Sequence, residues 1–197
     1  GERPARVSPA EPVLRGEPLN QVRSFLIVSA IDNHQRAQQL RRECVEQRLM
    51  ELCLEAKSYY RASAEAYGLY IAAFPDNPEA VELQYNCADA LFWSEQYAEA
   101  AIAYARVRDL GGDHRVFAAR AMVESLQRLL DQIAVDDPTV VTPTEIPGSA
   151  SSDALPEAVA QVLAAREAYV TTVSRADDVE GLRDAYRYEN ARTLALY

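Results

Sequence analysis

Residues 75–105 read Pro75-Asp76-Asn77-Pro78-Glu79-Ala80-Val81-Glu82-Leu83-Gln84-Tyr85-Asn86-Cys87-Ala88-Asp89-Ala90-Leu91-Phe92-Trp93-Ser94-Glu95-Gln96-Tyr97-Ala98-Glu99-Ala100-Ala101-Ile102-Ala103-Tyr104-Ala105. The stretch reads as one helix–turn–helix unit. Asn86, Ala88, Ala90 and Leu91 fall on the first helix, Tyr97 follows the turn, and Ala100-x3-Tyr104 falls on the second. Two antiparallel helices approach closely only where small residues sit at their crossing, a place suited to Ala88 and Ala100. Leu91, Tyr97, Ile102 and Tyr104 are then expected to fill the flanking volume, as the apolar stripe of a packed helix pair requires.

A single amphipathic hairpin has no reason to repeat its small-x3-aromatic step, yet this one recurs. Ser63-x3-Tyr67 lies upstream and Ala165-x3-Tyr169 downstream, and Tyr60 precedes Ser63 by three residues as Tyr97 precedes Ala100. Phe74-Pro75-Asp76 is a natural boundary, because proline stops a helix and the Asn-Pro that follows turns the chain. The pattern resembles a tetratricopeptide repeat, a unit of roughly 34 residues built as a helical hairpin. The resemblance is specific over 58–105 and loose elsewhere. It implies an all-α, right-handed helical solenoid of about seven helices, belonging to a longer array, and a protein that binds proteins or peptides rather than one that does chemistry.

Against that template, residues 44–57 read as a degenerate first helix with Met50 and Leu54 as its apolar positions. Residues 114–130 read as another first helix, with Ala119, Ala121 and Met122 where Ala88, Ala90 and Leu91 stood. The segment 134–154 carries three prolines and a Ser-rich run, so it is expected to be an inserted loop, functional or mobile. An apolar stripe resumes at Val159, Val162, Leu163, Tyr169, Val170 and Val173. Residues 179–197, with Leu182, Tyr186 and Leu194, begin the first helix of a further repeat.

Both ends read as cut. Residues 1–19 hold four prolines and little apolar content, which suits a disordered linker. The repeat domain is expected over 20–197. Phe25, Leu26, Ile27, Val28 and Ile31 would also suit a strand, but no second strand candidate exists to pair with it, so a helix from 20 to about 33 is expected.

Composition sets the function classes. A chain of 197 residues with 49% hydrophobic residues can bury one continuous core. The net charge of −10 argues against nucleic acid, since phosphate neutralisation needs clustered cations and only Arg41-Arg42 are adjacent. Lys57 is the single lysine among the 20 basic residues, which we read as the codon usage of a high-GC bacterium. No apolar run approaches the roughly 20 residues of a membrane span, so membrane insertion by these residues is not expected.

Cys44 and Cys53, read on one helix, would point to opposite faces about 13 Å apart, which forbids a mutual disulfide. Cys87 reads as a small buried hydrophobe. No CxxC occurs, and neither a reducing nor an oxidising compartment is excluded. His34 and His114 read as solvated or capping residues near helix starts, Asp113 as the N-cap of the second of those helices, and Asp136-Asp137 and Asp177-Asp178 as turn or cap acids. No catalytic or metal-binding motif is present, so neither an enzyme nor a cofactor is expected.

The resemblance also places a binding surface. First helices line the concave side in this family, and on 79–93 the inward positions become Glu82, Tyr85, Asn86, Asp89, Phe92 and Trp93. Asn86 stands where the family's clamping Asn bonds a ligand backbone, while the lysines of a carboxylate clamp are missing. Arg120 on the next repeat is a lone cation. Phe92 and Trp93 suit either an apolar anchor in the groove or a seal against the next repeat. The Phe-Pro-Asp-Asn-Pro repeat end is similar to those of bacterial envelope repeat proteins, among them outer-membrane assembly, cell-division and motility components. That similarity implies a scaffold in a periplasmic or outer-membrane assembly, its partner and its oligomeric state unspecified. The alternative is a spacer or sensory region beside a catalytic or membrane domain.

Overall fold

Nothing between Glu17 and Gln47 interrupts a helix: there is no glycine, and the only proline, Pro18, stands in the first turn, where its missing N–H costs nothing. The computed structural model of the chain describes residues 16–75, 77, 80–141 and 155–197. There α1 is one helix of 31 residues, Glu17–Gln47. α2 follows at Met50–Ala73, α3 at Ala80–Trp93, α4 at Tyr97–Leu110, α5 at Arg115–Asp136, α6 at Glu157–Thr172 and α7 at Leu182–Leu194. A short 3-10 helix, Pro138–Val140, follows α5. No strand occurs among the described residues, and Phe25–Ile31 is helical.

The punctuation between helices has local causes. α2 ends at Ala73, just before Phe74-Pro75. Gly111 and Gly112 take φ of 82° and 74° between α4 and α5, a region glycine enters without a Cβ clash. The α1–α2 break has no such signal, because Arg48 supplies the left-handed residue at φ 56°.

That break corrects the sequence reading. Residues 44–57 are not a helix of their own: 44–47 close α1 and 50–57 open α2. Met50 and Leu54 consequently face solvent, as does Ile102 on α4. The boundary proposed for the N-terminal linker also moves, since residues 17–19 already belong to α1; residues 1–15 lie outside the described residues. α5 runs on to Asp136, so only part of the 134–154 loop is loop, and 142–154 lie outside the described residues.

Each helix packs antiparallel on the next. In α1 and α2, Arg23 Nε donates to the Tyr70 hydroxyl at 3.0 Å, and Ser63 Oγ to the Ala30 carbonyl at 2.8 Å. Further along, Cys44 and Cys53 form a disulfide with Cα atoms 5.4 Å apart. The expectation that this pair could not bridge was wrong because it assumed one continuous helix. Reversing the chain at Arg48-Leu49 brings the two cysteines face to face. α5 and α6 are joined by Arg115 Nη2 donating to the Thr172 carbonyl at 2.7 Å and Arg166 Nη2 donating to Gln127 at 3.1 Å. Arg183 of α7 donates to the Val170 and Val173 carbonyls. Arg115 and Arg183 therefore both satisfy carbonyls at the end of α6, where a cation also suits the helix dipole.

The core runs along the interior of this series. Ala88 and Phe92 of α3, Ala100 and Tyr104 of α4, Ala118 and Met122 of α5, and Ala165 and Tyr169 of α6 form one cluster. Ala30, Tyr67, Tyr70, Leu83 and Cys87 form a second under α1 and α2. Burial pushes the Cys87 thiol up to about 11, in keeping with a small apolar residue.

Ala100 has no exposed surface, so Ala100→Leu should overpack the α3–α4 crossing and destabilise by about 1–3 kcal/mol. An unchanged melting temperature would contradict that packing. Reducing the Cys44–Cys53 disulfide frees a short loop in the unfolded chain, for which chain entropy predicts a loss of about 2–3 kcal/mol. Thermal unfolding with and without reductant, using Cys53→Ser as a control, measures it.

Candidate functional site

α3 lies between α2 and α4, and one side of it meets α1 and α5. Spaced by three or four residues, Glu82, Tyr85, Asn86, Asp89 and Trp93 share that side. The centre is Asp89, whose carboxylate is one-fifth exposed. Its Oδ2 lies 3.4 Å from Nε2 of His34 on α1. Its Oδ1 accepts from Trp93 Nε1 at 3.2 Å and from the Tyr104 hydroxyl at 3.4 Å. One carboxylate thereby links α1, α3 and α4.

His34 is buried in the middle of α1, not solvated near its start. It sits edge-on to the rings of Tyr60 and Tyr67, at 5.6 and 6.0 Å. The signal was present in the sequence: Ala30, His34 and Ala37 fall on one helix face, and all three are buried. Arg41, one further turn along, lies over the Trp93 ring, 3.2 Å from its centroid. A guanidinium on an indole face is a favourable cation–π arrangement. Burial and the nearby Asp89 raise the pKa of Tyr60, and burial does so first for Tyr104, again with Asp89 beside it.

Phe92 is 8% exposed and packs into the core against Tyr97 at 5.5 Å. Trp93 is half-buried, 5.1 Å from Phe92, with its N–H and its face both engaged. Of the two places the sequence allowed for this pair, the structure puts Phe92 in the core. The accessible aromatic group lies two turns earlier. Tyr85 stacks on His114 at 4.2 Å, and Phe117 meets Tyr85 edge-on at 5.6 Å. Glu82 Oε2 lies 2.8 Å from His114 Nε2. His114, rather than Asp113, is the N-cap residue of α5, and no side chain caps that end.

Asn86 is half-buried beside this group, and among the described residues its side-chain amide has no hydrogen-bond partner. Arg120 is not a lone cation, because it pairs with Glu180 of the α6–α7 turn. A pocket of about 280 Å³ opens there, walled by Val116, Phe117, Val179 and Leu182 and rimmed by Asp113, Asp177 and the Arg120–Glu180 pair. Asp178 accepts from the Leu182 and Arg183 amides and from the Tyr169 hydroxyl, so it caps α7. Asp137 Oδ1 likewise accepts from the Thr139 amide.

The Asp89 network holds helices in register, while the Tyr85–His114–Phe117 group and its neighbouring pocket offer contact surface. No group of three or more His, Cys, Asp or Glu among the described residues could hold a metal ion. No helix among them is long and apolar enough to cross a membrane. Comparison with protein-family models, with curated proteins and with solved structures gives no match.

The buried tyrosines set the response to alkali. Burial raises Tyr67 from 10.0 to about 12, and it raises Tyr60, Tyr104 and Tyr169 as well. These hydroxyls are neutral in the folded chain and ionise at lower pH once unfolded. Their contribution is therefore fully present below the unfolded value of 10.0 and is lost as pH rises through the folded value, about 12 for Tyr67. Melting temperature should fall across that window, and tyrosinate absorbance from these residues should appear together with loss of helicity. Full ionisation of all the tyrosines near pH 10, with helicity intact, would contradict their burial.

Proposed function

We propose that the chain is a tetratricopeptide-like interaction module that receives a protein segment along the face shared by α1, α3 and α5. The observation that carries the reading is the recurrence of one crossing device. Ser63 and Tyr67 on α2, Ala100 and Tyr104 on α4, and Ala165 and Tyr169 on α6 are all at most 3% exposed. The same step, buried on every second helix, is what a stack of helical hairpins requires.

The chemistry of the face describes its partner. Phe117 is 48% exposed and Val179 95%, and the acids Asp113 and Asp177 stand round them in a chain of net charge −10, while Glu180 is paired with Arg120. A segment that inserts an apolar side chain beside a Lys or Arg fits this surface, with Asn86 free to bond its backbone. The disulfide favours an oxidising compartment such as the bacterial envelope. The burial of Phe92 and the engagement of Trp93 support a second reading, a spacer that binds nothing, because they remove two apolar anchors from the face. On either reading, no catalytic step is assigned to this chain.

Selection from a displayed library of random peptides separates the two. The module reading expects enrichment of sequences pairing an apolar residue with Lys or Arg. It also expects Phe117→Ser with Val179→Ser to weaken the selected peptides about tenfold or more, as loss of a central apolar contact does, at unchanged melting temperature. Absence of any enriched sequence would leave the spacer.

A further inference from the structure

Arg166 on α6 stands out electrostatically. The chain carries 30 acidic and 20 basic residues, and other arginines of its interior find partners: Arg183 two backbone carbonyls, Arg108 the Asp109 carboxylate. Arg166 is half-buried and, among the described residues, has no carboxylate at ion-pair distance. Its one hydrogen bond runs from Nη2 to Gln127 Oε1 at 3.1 Å, and its Nε is buried with no partner. Gln127 is held in that orientation because its own amide donates to Asp131 at 3.0 Å. Taking a guanidinium partly out of water beside a neutral amide is costly unless an anion can reach it.

Arg166 lines a cavity. A space of about 150 Å³ lies between the second half of α5, α6 and the end of α7. Arg166, Gln127, Thr193 and Tyr197 are its polar residues, the Tyr197 hydroxyl already donating to the Val140 carbonyl at 2.7 Å, and Leu130, Val162 and Leu196 are among its apolar walls. The arrangement is a cationic residue at a small, largely aliphatic chamber that Tyr197 also lines. A planar guanidinium matches a carboxylate through two parallel N–H bonds, and the walls reward a hydrocarbon tail while giving nothing back for the lost hydration of an inorganic anion.

We propose that this cavity binds a carboxylate bearing a short aliphatic tail, the carboxylate on Arg166 and the tail against Leu130 and Val162. The site lies away from the α1–α3–α5 face and stands whether or not that face binds a peptide. The same chemistry has two sources, a free short-chain acid or the aliphatic C-terminus of another chain.

Calorimetric titration of the full chain with isovalerate, isovaleramide, sulfate and an acetylated dipeptide ending in valine tests it. Binding of isovalerate or of the dipeptide, with no binding of the amide or sulfate, is expected. The tighter of the two identifies the source. Arg166→Gln should weaken that ligand about tenfold or more, the loss of one charge-assisted contact. Val162→Phe should block it by filling the chamber, and circular dichroism establishes that both variants remain folded. Phe117→Ser should leave it unchanged, which separates this site from the peptide face. The proposal is overturned if isovaleramide binds as well as isovalerate, if sulfate competes equally, if folded Arg166→Gln keeps full affinity, or if neither carboxylate binds.

Discussion

A small residue that lets two helix backbones meet, followed one turn later by a buried tyrosine, is the constraint on which the rest of this structure depends. The small residue brings the axes together, and the ring fills the space that opens beside the crossing. A buried tyrosine then imposes a second demand, because its hydroxyl must find an acceptor. Tyr104 finds Asp89 and Tyr169 finds Asp178. Those acids are placed by the tyrosines, and each then acquires further duties. Asp89 also pairs with His34 and accepts from Trp93, which draws α1 against α3. Asp178 also accepts from the first amides of α7, which sets where the last helix starts.

The hairpin of α1 and α2 is organised differently. It is longer than its successors, its Ser63 hydroxyl bonds the α1 backbone directly, and a disulfide closes its turn. A left-handed arginine at the reversal is an unusual choice where glycine would cost less, and the covalent link between Cys44 and Cys53 holds the two helices of the hairpin together across it. The interior face is divided accordingly. Its α1 half is filled by His34, Tyr60 and Arg41 against Asp89 and Trp93. Its α5 half leaves Phe117 and the acid-rimmed pocket open to contact, and the proposed peptide surface lies there.

Much of the architecture was legible in advance. The helices, the crossing alanines, the Ser63, Ala100 and Ala165 steps with their tyrosines, and the capping duties of Asp137 and Asp178 are all local in origin. They follow from residues three or four apart, or from a side chain reaching its own backbone. The candidate site was legible only in part. Glu82, Tyr85, Asn86, Asp89 and Trp93 do share one side of α3, since helical spacing alone arranges that. Whether a ring on that side meets solvent or a neighbouring helix depends on where α1 and α5 lie, and Phe92 fell to the core.

By itself, then, the sequence determined the helical character and the periodic stripe of small and aromatic residues, because both rest on interactions within a turn or two of helix. Only the tertiary structure decided the rest. It joined Cys44 to Cys53 by reversing the chain at a place without glycine or proline. It turned a histidine expected in solvent or at a helix cap into the partner of an aspartate 55 positions away, and took Arg120 from a lone cation to the partner of Glu180. These pairings cross between elements, and no local rule encodes them. They arise from the register in which helices settle once their small residues have come into contact.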